Sequence, residues 1–174
     1  MKPRLVSSEC LYDGRIIKLH VDQVELEDGR IAKREVARHA AAVCVFAYDD
    51  QYGYLVSQYR HPIGVYIEEA VAGLCENGED PADAAKRELN EETNALCEEL
   101  EPLGTFYPSP GFTDEVIYLY AAKITGYKQG TPDEDEHITV KKYPLNELKR
   151  MALDGTITDG KTVTVLLKFF TLRP

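Results

Sequence analysis

Hydrophobic and polar positions change period several times along this chain, and each change marks an element. Within residues 15–38, Ile17, Leu19 and Val21 alternate with polar neighbours, the two-residue period of a strand with one covered face. Val24 and Leu26 resume the alternation one step out of phase, which predicts a bulge or bend, and Asp28-Gly29 predicts a tight hairpin into a second strand over 30–37. Residues 40–48, AAAVCVFAY, are apolar without a break and suit a strand buried on both faces; a turn over 49–53 leads to another strand ending at Arg60. Further on, 104–107, 116–124 and 137–143 read as strands and 144–153 as a helix, while Val163, Leu166, Leu167 and Phe170 fall at helical spacing within 159–172. Strands and helices mix without regular alternation, so the expected class is α/β of the mixed α+β kind, a mixed sheet flanked by helices.

One helix in this order is unusually acidic. Pro81 suits a first helical position, and Asp80 can cap the free backbone N–H groups, with Asp83 as its reciprocal partner. At about 100° per residue, Glu88 at 0° places Glu92 near +40° and Glu91 near −60°, with Ala82, Ala85 and Leu89 on the adjoining arc. Three carboxylates therefore share the edge of a packed stripe. Two carboxylates about 6 Å apart repel by roughly 3 kcal/mol at an effective dielectric of about 20, so the arrangement calls for compensation. Arg87 can supply part of it by pairing with Glu91 at i, i+4, which would leave the other carboxylates unoccupied. A bound cation can supply the rest, and an all-oxygen donor set favours Mg²⁺ or Mn²⁺ over Zn²⁺. The commoner fate of a Glu-rich helix is a solvated acidic face.

Composition narrows the partners. The chain has 174 residues, enough for one domain with a real core, and a formal charge of −10, which argues against nucleic acid or an anionic membrane surface. Twelve acidic residues lie within 68–101 against only Lys86 and Arg87, so the negative charge gathers around the acidic helix. Cys10, Cys44, Cys75 and Cys97 form no C-x-x-C pair, so reduced thiols and a cytoplasmic location are expected. No apolar run of membrane-spanning or signal type occurs.

The spacing around the acidic helix decides between metal site and solvated face. Gly73, Glu79, Arg87, Glu88, Leu89, Glu91 and Glu92 match G-x5-E-x7-R-E-U-x-E-E-x-G-U, so the stretch resembles the Nudix box. Asn94 stands where the pattern has Gly and Ala95 where it has a bulkier aliphatic residue; Asn tolerates the left-handed conformation nearly as well as Gly. In order along the chain, KREVARH, QYRHPIG, EEAVAG, YPSPGFTDE, DEDEHITV and DGKT further resemble the ADP-ribose pyrophosphatase and nucleoside diphosphate sugar hydrolase branch of that superfamily. Departures are Val71 in place of Pro and Ala40-Ala41 in place of Pro-Gly.

The resemblance implies a Nudix-type mixed sheet sandwiched between helices in 41–174, with an N-terminal antiparallel strand appendage, residues 1–40, that exchanges between the subunits of a homodimer. It implies metal-dependent hydrolysis of a nucleoside diphosphate sugar, with Glu88 and Glu92, Glu91 through water and the Ala72 carbonyl holding the ions. Metal-bound carboxylates accept protons poorly, so the general base is sought in the acidic loop, Glu136 first and Glu134 second. A diphosphate needs a positive contact, for which Arg60, and then Arg34 and Arg38, are candidates. Ser109 and Gly111 read as a turn that could shape a cleft wall before Glu115, and His39 reads as a structural histidine. GDP-mannose, a nucleoside triphosphate, or binding without turnover are the competing expectations.

Overall fold

The computed structural model describes residues 2–130 and 137–173, and the chain divides into two compact units. One unit comprises Met1–Ala41 and Tyr107–Val116. Its sheet runs in the order β1 (Arg4–Asp13), β2 (Ile17–Glu25), β3 (Ile31–His39), antiparallel throughout. The expected hairpin at Asp28-Gly29 joins β2 to β3, with Gly29 at φ 81°.

Of the expected bulge or bend, the bulge is absent from β2. Its register with β3 is unbroken from Ile17 opposite His39 to Glu25 opposite Ile31, and the irregularities fall in β1, between Leu5 and Ser7 and between Cys10 and Tyr12. Leu26 is out of phase because β2 has ended: its N–H bonds Arg30 O across the turn. The covered face is also the other one. Asp22 is buried, whereas Ile17 and Leu19 are exposed.

The second unit holds the larger core, built on a seven-stranded sheet. Its strands are β4 (Ala42–Tyr48), β5 (Tyr52–Arg60), β6 (Val65–Glu69), β7 (Val71–Leu74), β9 (Leu100–Phe106), β10 (Ile117–Lys123) and β12 (Thr139–Pro144), while β8 (Ala95–Leu96) pairs separately with β11 (Gly126–Tyr127). β4 lies centrally, parallel to β10 and antiparallel to β5 and β7. As its apolar sequence predicts, both faces are buried: Val43, Val45 and Ala47 pack with Ala84, Ala85 and Leu89 of α1 (Pro81–Thr93). Cys44 and Phe46 pack on the opposite side with Leu148 of α2 (Leu145–Asp154) and Val165, Leu166 and Phe169 of α3 (Gly160–Leu172). The mixed sheet is thus sandwiched between helices. Val71, the departure from Pro, is fully buried in the α1-side core. β6 and β7 had no separate strand signal, because their pairing depends on β5 and β4 rather than on an internal period.

No helix of the described residues is long and apolar enough to cross a membrane. All four cysteines are free thiols.

Candidate active site

The acidic helix begins where Asp80 accepts a 2.8 Å hydrogen bond from Ala82 N and Pro81 opens the first turn. It ends at Asn94, left-handed at φ 59°. Asn94 does more than tolerate that conformation: its Oδ1 accepts from Gly130 N at 2.8 Å, while Asn90 Nδ2 donates to Lys128 O at 2.8 Å. The residue that departs from the box thereby ties a neighbouring segment to the helix end. Gly130 has no room for a side chain, since a Cβ there would overlap the Asn90 carbonyl.

Arg87 organises the carboxylates. Its Nε and Nη2 each donate at 2.9 Å to one oxygen of Glu79, and Nη2 also donates to Leu74 O. Nη1 donates to Glu88 at 2.8 Å and to Glu91 at 2.9 Å. The expected i, i+4 pair is present, but the expectation that Arg87 would leave its other neighbours unoccupied is corrected: a guanidinium has five N–H donors in a planar fork, and the loop before α1 brings Glu79 onto it. Hydrogen bonds from Arg87, and then from Glu76 N–H, hold the Glu79 carboxyl down to about 2. The bonds that Arg87 donates, led by those to Glu79, push its guanidinium up.

Glu88 lies against β7. A Cβ at Gly73 would overlap its carboxylate, which gives a packing reason for glycine at the first position of the box. Glu92 is only 9% exposed and lies among the buried residues Ala84, Ala85, Leu89 and Thr93. It belongs to the packed stripe rather than its edge; the stripe takes in Ala84, while Ala82, expected in it, is half-buried. Among the described residues no three His, Cys, Asp or Glu side chains are already gathered as a metal cage. The donors on α1 are nonetheless all oxygens, suited to a hard divalent cation, and the bare Cα of Gly73 leaves Glu88 room beside Ala72.

A second ionic group lies deeper in the same unit. Glu69, 1% exposed, accepts from Arg60 Nε at 2.6 Å and Nη2 at 2.8 Å, and also from Lys161 Nζ. Lys161 reaches Asp159 at 3.0 Å. Asp159 caps α3 through Thr162 N at 2.9 Å and takes the Thr162 hydroxyl at 2.5 Å, and that hydroxyl oxygen accepts from Ala70 N at 2.7 Å. Burial raises the Glu69 carboxyl, but Arg60 and Lys161 outweigh it and the net shift is downward. Sequence reasoning noted the DGKT and EEAVAG stretches yet gave Glu69, Asp159, Lys161 and Thr162 no role. Their one available signal was an acidic pair at 68–69 and an Asp-Lys pair at 159 and 161, separated by about half the chain.

The remaining candidates among the described residues belong to the other unit. Arg38 bonds Asp22 at 2.8 Å and Asp114 at 3.1 Å, Asp114 also accepts from His39 N at 3.0 Å, and Ala37 N bonds Phe112 O, so residues 107–116 are fastened to β3. Ser109 O accepts from Phe112 N and Thr113 N, the expected turn around Gly111. Glu115 lies 3.8 Å from His39 Nδ1, and that nitrogen is 2.7 Å from Ala40 O. Arg34 donates to Lys33 O at 2.9 Å. Glu134 and Glu136 lie outside the described residues.

Residues 37–165 match the NUDIX domain and residues 4–37 the nucleoside diphosphate sugar hydrolase N-terminal domain. A protein of Bacillus methanolicus named methanol dehydrogenase activator is 42% identical over 92% of this chain and 88% of its own length. An ADP-ribose pyrophosphatase of Bacillus subtilis (strain 168) is 34% identical over 93% of this chain and 89% of its own. A crystal structure of an ADP compounds hydrolase, 21% identical, superposes with a TM-score of 0.89 over 99% of this chain and 94% of that one, and shares the fold.

Proposed function

This chain belongs to the Nudix hydrolase family, and on that premise we propose that it hydrolyses the diphosphate of ADP-ribose or a related nucleoside diphosphate sugar to a nucleoside monophosphate and a sugar phosphate. The observation that carries the reading is the convergence of Glu79, Glu88 and Glu91 on the single Arg87 guanidinium, beside the glycine that admits Glu88 to β7. The matched N-terminal domain and the pyrophosphatase relative support the substrate class.

In this reading Glu88, Glu92, Glu91 and the Ala72 carbonyl would hold Mg²⁺, with Mn²⁺ as substitute. Bound there, a divalent ion neutralises the diphosphate and lowers the pKa of water. Arg87 orients Glu88 and Glu91 through one nitrogen, so both carboxylates are aimed before substrate arrives. Arg60, and then Arg34 and Arg38, are the candidates for contact with substrate phosphate, and Ser109, Gly111 and Glu115 for further contacts with the substrate. Glu136, or Glu134, takes the proton from the attacking water. The chain works as a cytoplasmic homodimer whose residues 1–40 form the contact with a second copy; exposed Leu5, Leu11, Tyr12, Ile17 and Leu19 in that region favour such a contact.

Incubation with ADP-ribose, GDP-mannose and nucleoside triphosphates, with Mg²⁺ or with chelator, tests the reading. AMP and ribose 5-phosphate should appear from ADP-ribose only with the metal, and triphosphates should be poorer substrates. Absence of turnover of every diphosphate-linked sugar would overturn it. The relative at 42% identity favours a second reading, activation of a dehydrogenase. Adding wild-type and Glu92→Gln protein to methanol dehydrogenase separates simple binding from an effect that needs hydrolysis.

A further inference from the structure

The buried group behind the acidic helix contains one cation more than Glu69 requires. Glu69 is almost wholly buried and takes two hydrogen bonds from Arg60, a bidentate pair that already satisfies a carboxylate. Lys161 nevertheless reaches the same carboxylate, and it is itself only 15% exposed. Lys161 is held by its own turn: Asp159 pairs with it at 3.0 Å and caps α3, and Thr162 fastens that turn to Ala70 N, the residue after Glu69. Arg60, Glu69, Lys161 and Asp159 therefore form a chain of alternating sign with no net charge. Stability alone does not ask for such a chain, because well-packed apolar residues serve a core as well or better.

Arg60 is the member that opens outward, with its side chain 38% exposed against 1% for Glu69 and 15% for Lys161 and Asp159. Its Nε and Nη2 are committed to Glu69, and the Glu92 carboxylate is near enough to add to the stabilisation of its charge. Without Lys161 the group would carry one net negative charge beside an incoming anion. With Lys161 in place the group is neutral and its outermost member is the positive one, so the geometry of Arg60 is kept and no uncompensated carboxylate opposes its charge.

We propose that Lys161 is a positioning residue: by sharing Glu69 with Arg60 it holds the guanidinium in place and preserves its positive charge for the diphosphate of the substrate. This rests on the hydrolase reading only for the identity of the anion. Binding without turnover can therefore be tested separately, by calorimetry with α,β-methylene-ADP and Mg²⁺, beside steady-state kinetics. Lys161→Met should weaken binding of that probe by about tenfold and raise KM similarly, with kcat changed by less than about threefold. Lys161→Arg should stay within about twofold of wild type. The double variant Lys161→Met with Glu69→Gln removes the carboxylate that needed compensation, so it should bind the probe more tightly than Lys161→Met and within about threefold of wild type.

Should Lys161→Met fail to fold, the double variant alone decides, and a tenfold or greater loss of binding in it overturns the proposal. So does a folded Lys161→Met protein that binds within twofold of wild type, an Arg60→Ala protein that binds as wild type does, or a wild type that does not bind the probe. A wild type that binds the probe but cleaves no diphosphate-linked sugar would refute the hydrolase reading and leave this one standing.

Discussion

Two arginines in the larger unit each grip a glutamate with a bidentate fork, and their surroundings differ in charge balance. Arg87 gathers Glu79, Glu88 and Glu91, three carboxylates on one guanidinium, whereas Arg60 shares a single buried carboxylate with Lys161. The first arrangement is electronegative and sits on a helix reached by solvent at Glu91; the second is balanced and buried at Glu69. On the proposed function, the first cluster would receive a cation and the second would present one. Carboxylates crowded onto one positive group gain from a divalent ion. A neutral ionic chain gains nothing from one, but it can fix where an arginine points.

The contrast breaks most easily at Glu92. Glu92→Gln keeps the shape of a buried side chain while removing a charge, so kcat should fall by about a thousandfold with the far-UV spectrum unchanged. A folded variant with near-normal turnover would remove α1 from the chemistry. Arg87→Lys is next: a point charge with three donors cannot replace a fork that makes five bonds, and kcat/KM should drop about 10- to 100-fold. Metal titration should show weaker binding in the same variant.

The clamp between Arg87 and Glu79 also predicts a pH dependence. Folding lowers the Glu79 carboxyl from near 4.5 to about 2, so its contribution to stability is complete above 4.5 and is lost as pH falls towards 2. The Tm difference between wild type and Glu79→Gln should be widest near about pH 6 and shrink steadily below 4.5. A difference that stays constant through that window would show that Glu79 acts through shape alone.

The smallest effects belong to the helix end. Asn94→Ala loses the bond to Gly130 N and forces alanine into a left-handed conformation, each worth about 1 kcal/mol, so Tm should fall by about 4–8 °C. Asn94→Gly loses the bond but relaxes the backbone, and should melt within about 2 °C of wild type. Equal melting of the two variants would mean that the left-handed residue carries no strain.

These clusters were legible in the sequence to different degrees. Everything around Arg87 is local, from Leu74 to Glu91, so helical spacing and box pattern bring the same residues together that the structure does. The Arg60 cluster joins Glu69 to Lys161 across 92 positions, a meeting decided by how β6 and α3 pack on the sheet, which no periodicity records. β1 was hidden for another reason: every residue in it is exposed, so it carries no covered face to read. In β2 the alternation was real but pointed the wrong way, because the covered face holds Asp22, paired with Arg38, and the aliphatic residues Ile17 and Leu19 face outward.

Whether the carboxylates of α1 receive the metal, as proposed, and those around Arg60 do not is tested most directly by Mn²⁺ titration followed by electron paramagnetic resonance. Wild type, Glu88→Gln, Glu92→Gln and Glu69→Gln would be compared after each is shown to be folded. Glu88→Gln and Glu92→Gln should weaken Mn²⁺ binding by about tenfold or more, while Glu69→Gln should stay within about threefold of wild type. Full Mn²⁺ affinity in both α1 variants, or its loss in Glu69→Gln alone, would contradict the proposed metal site.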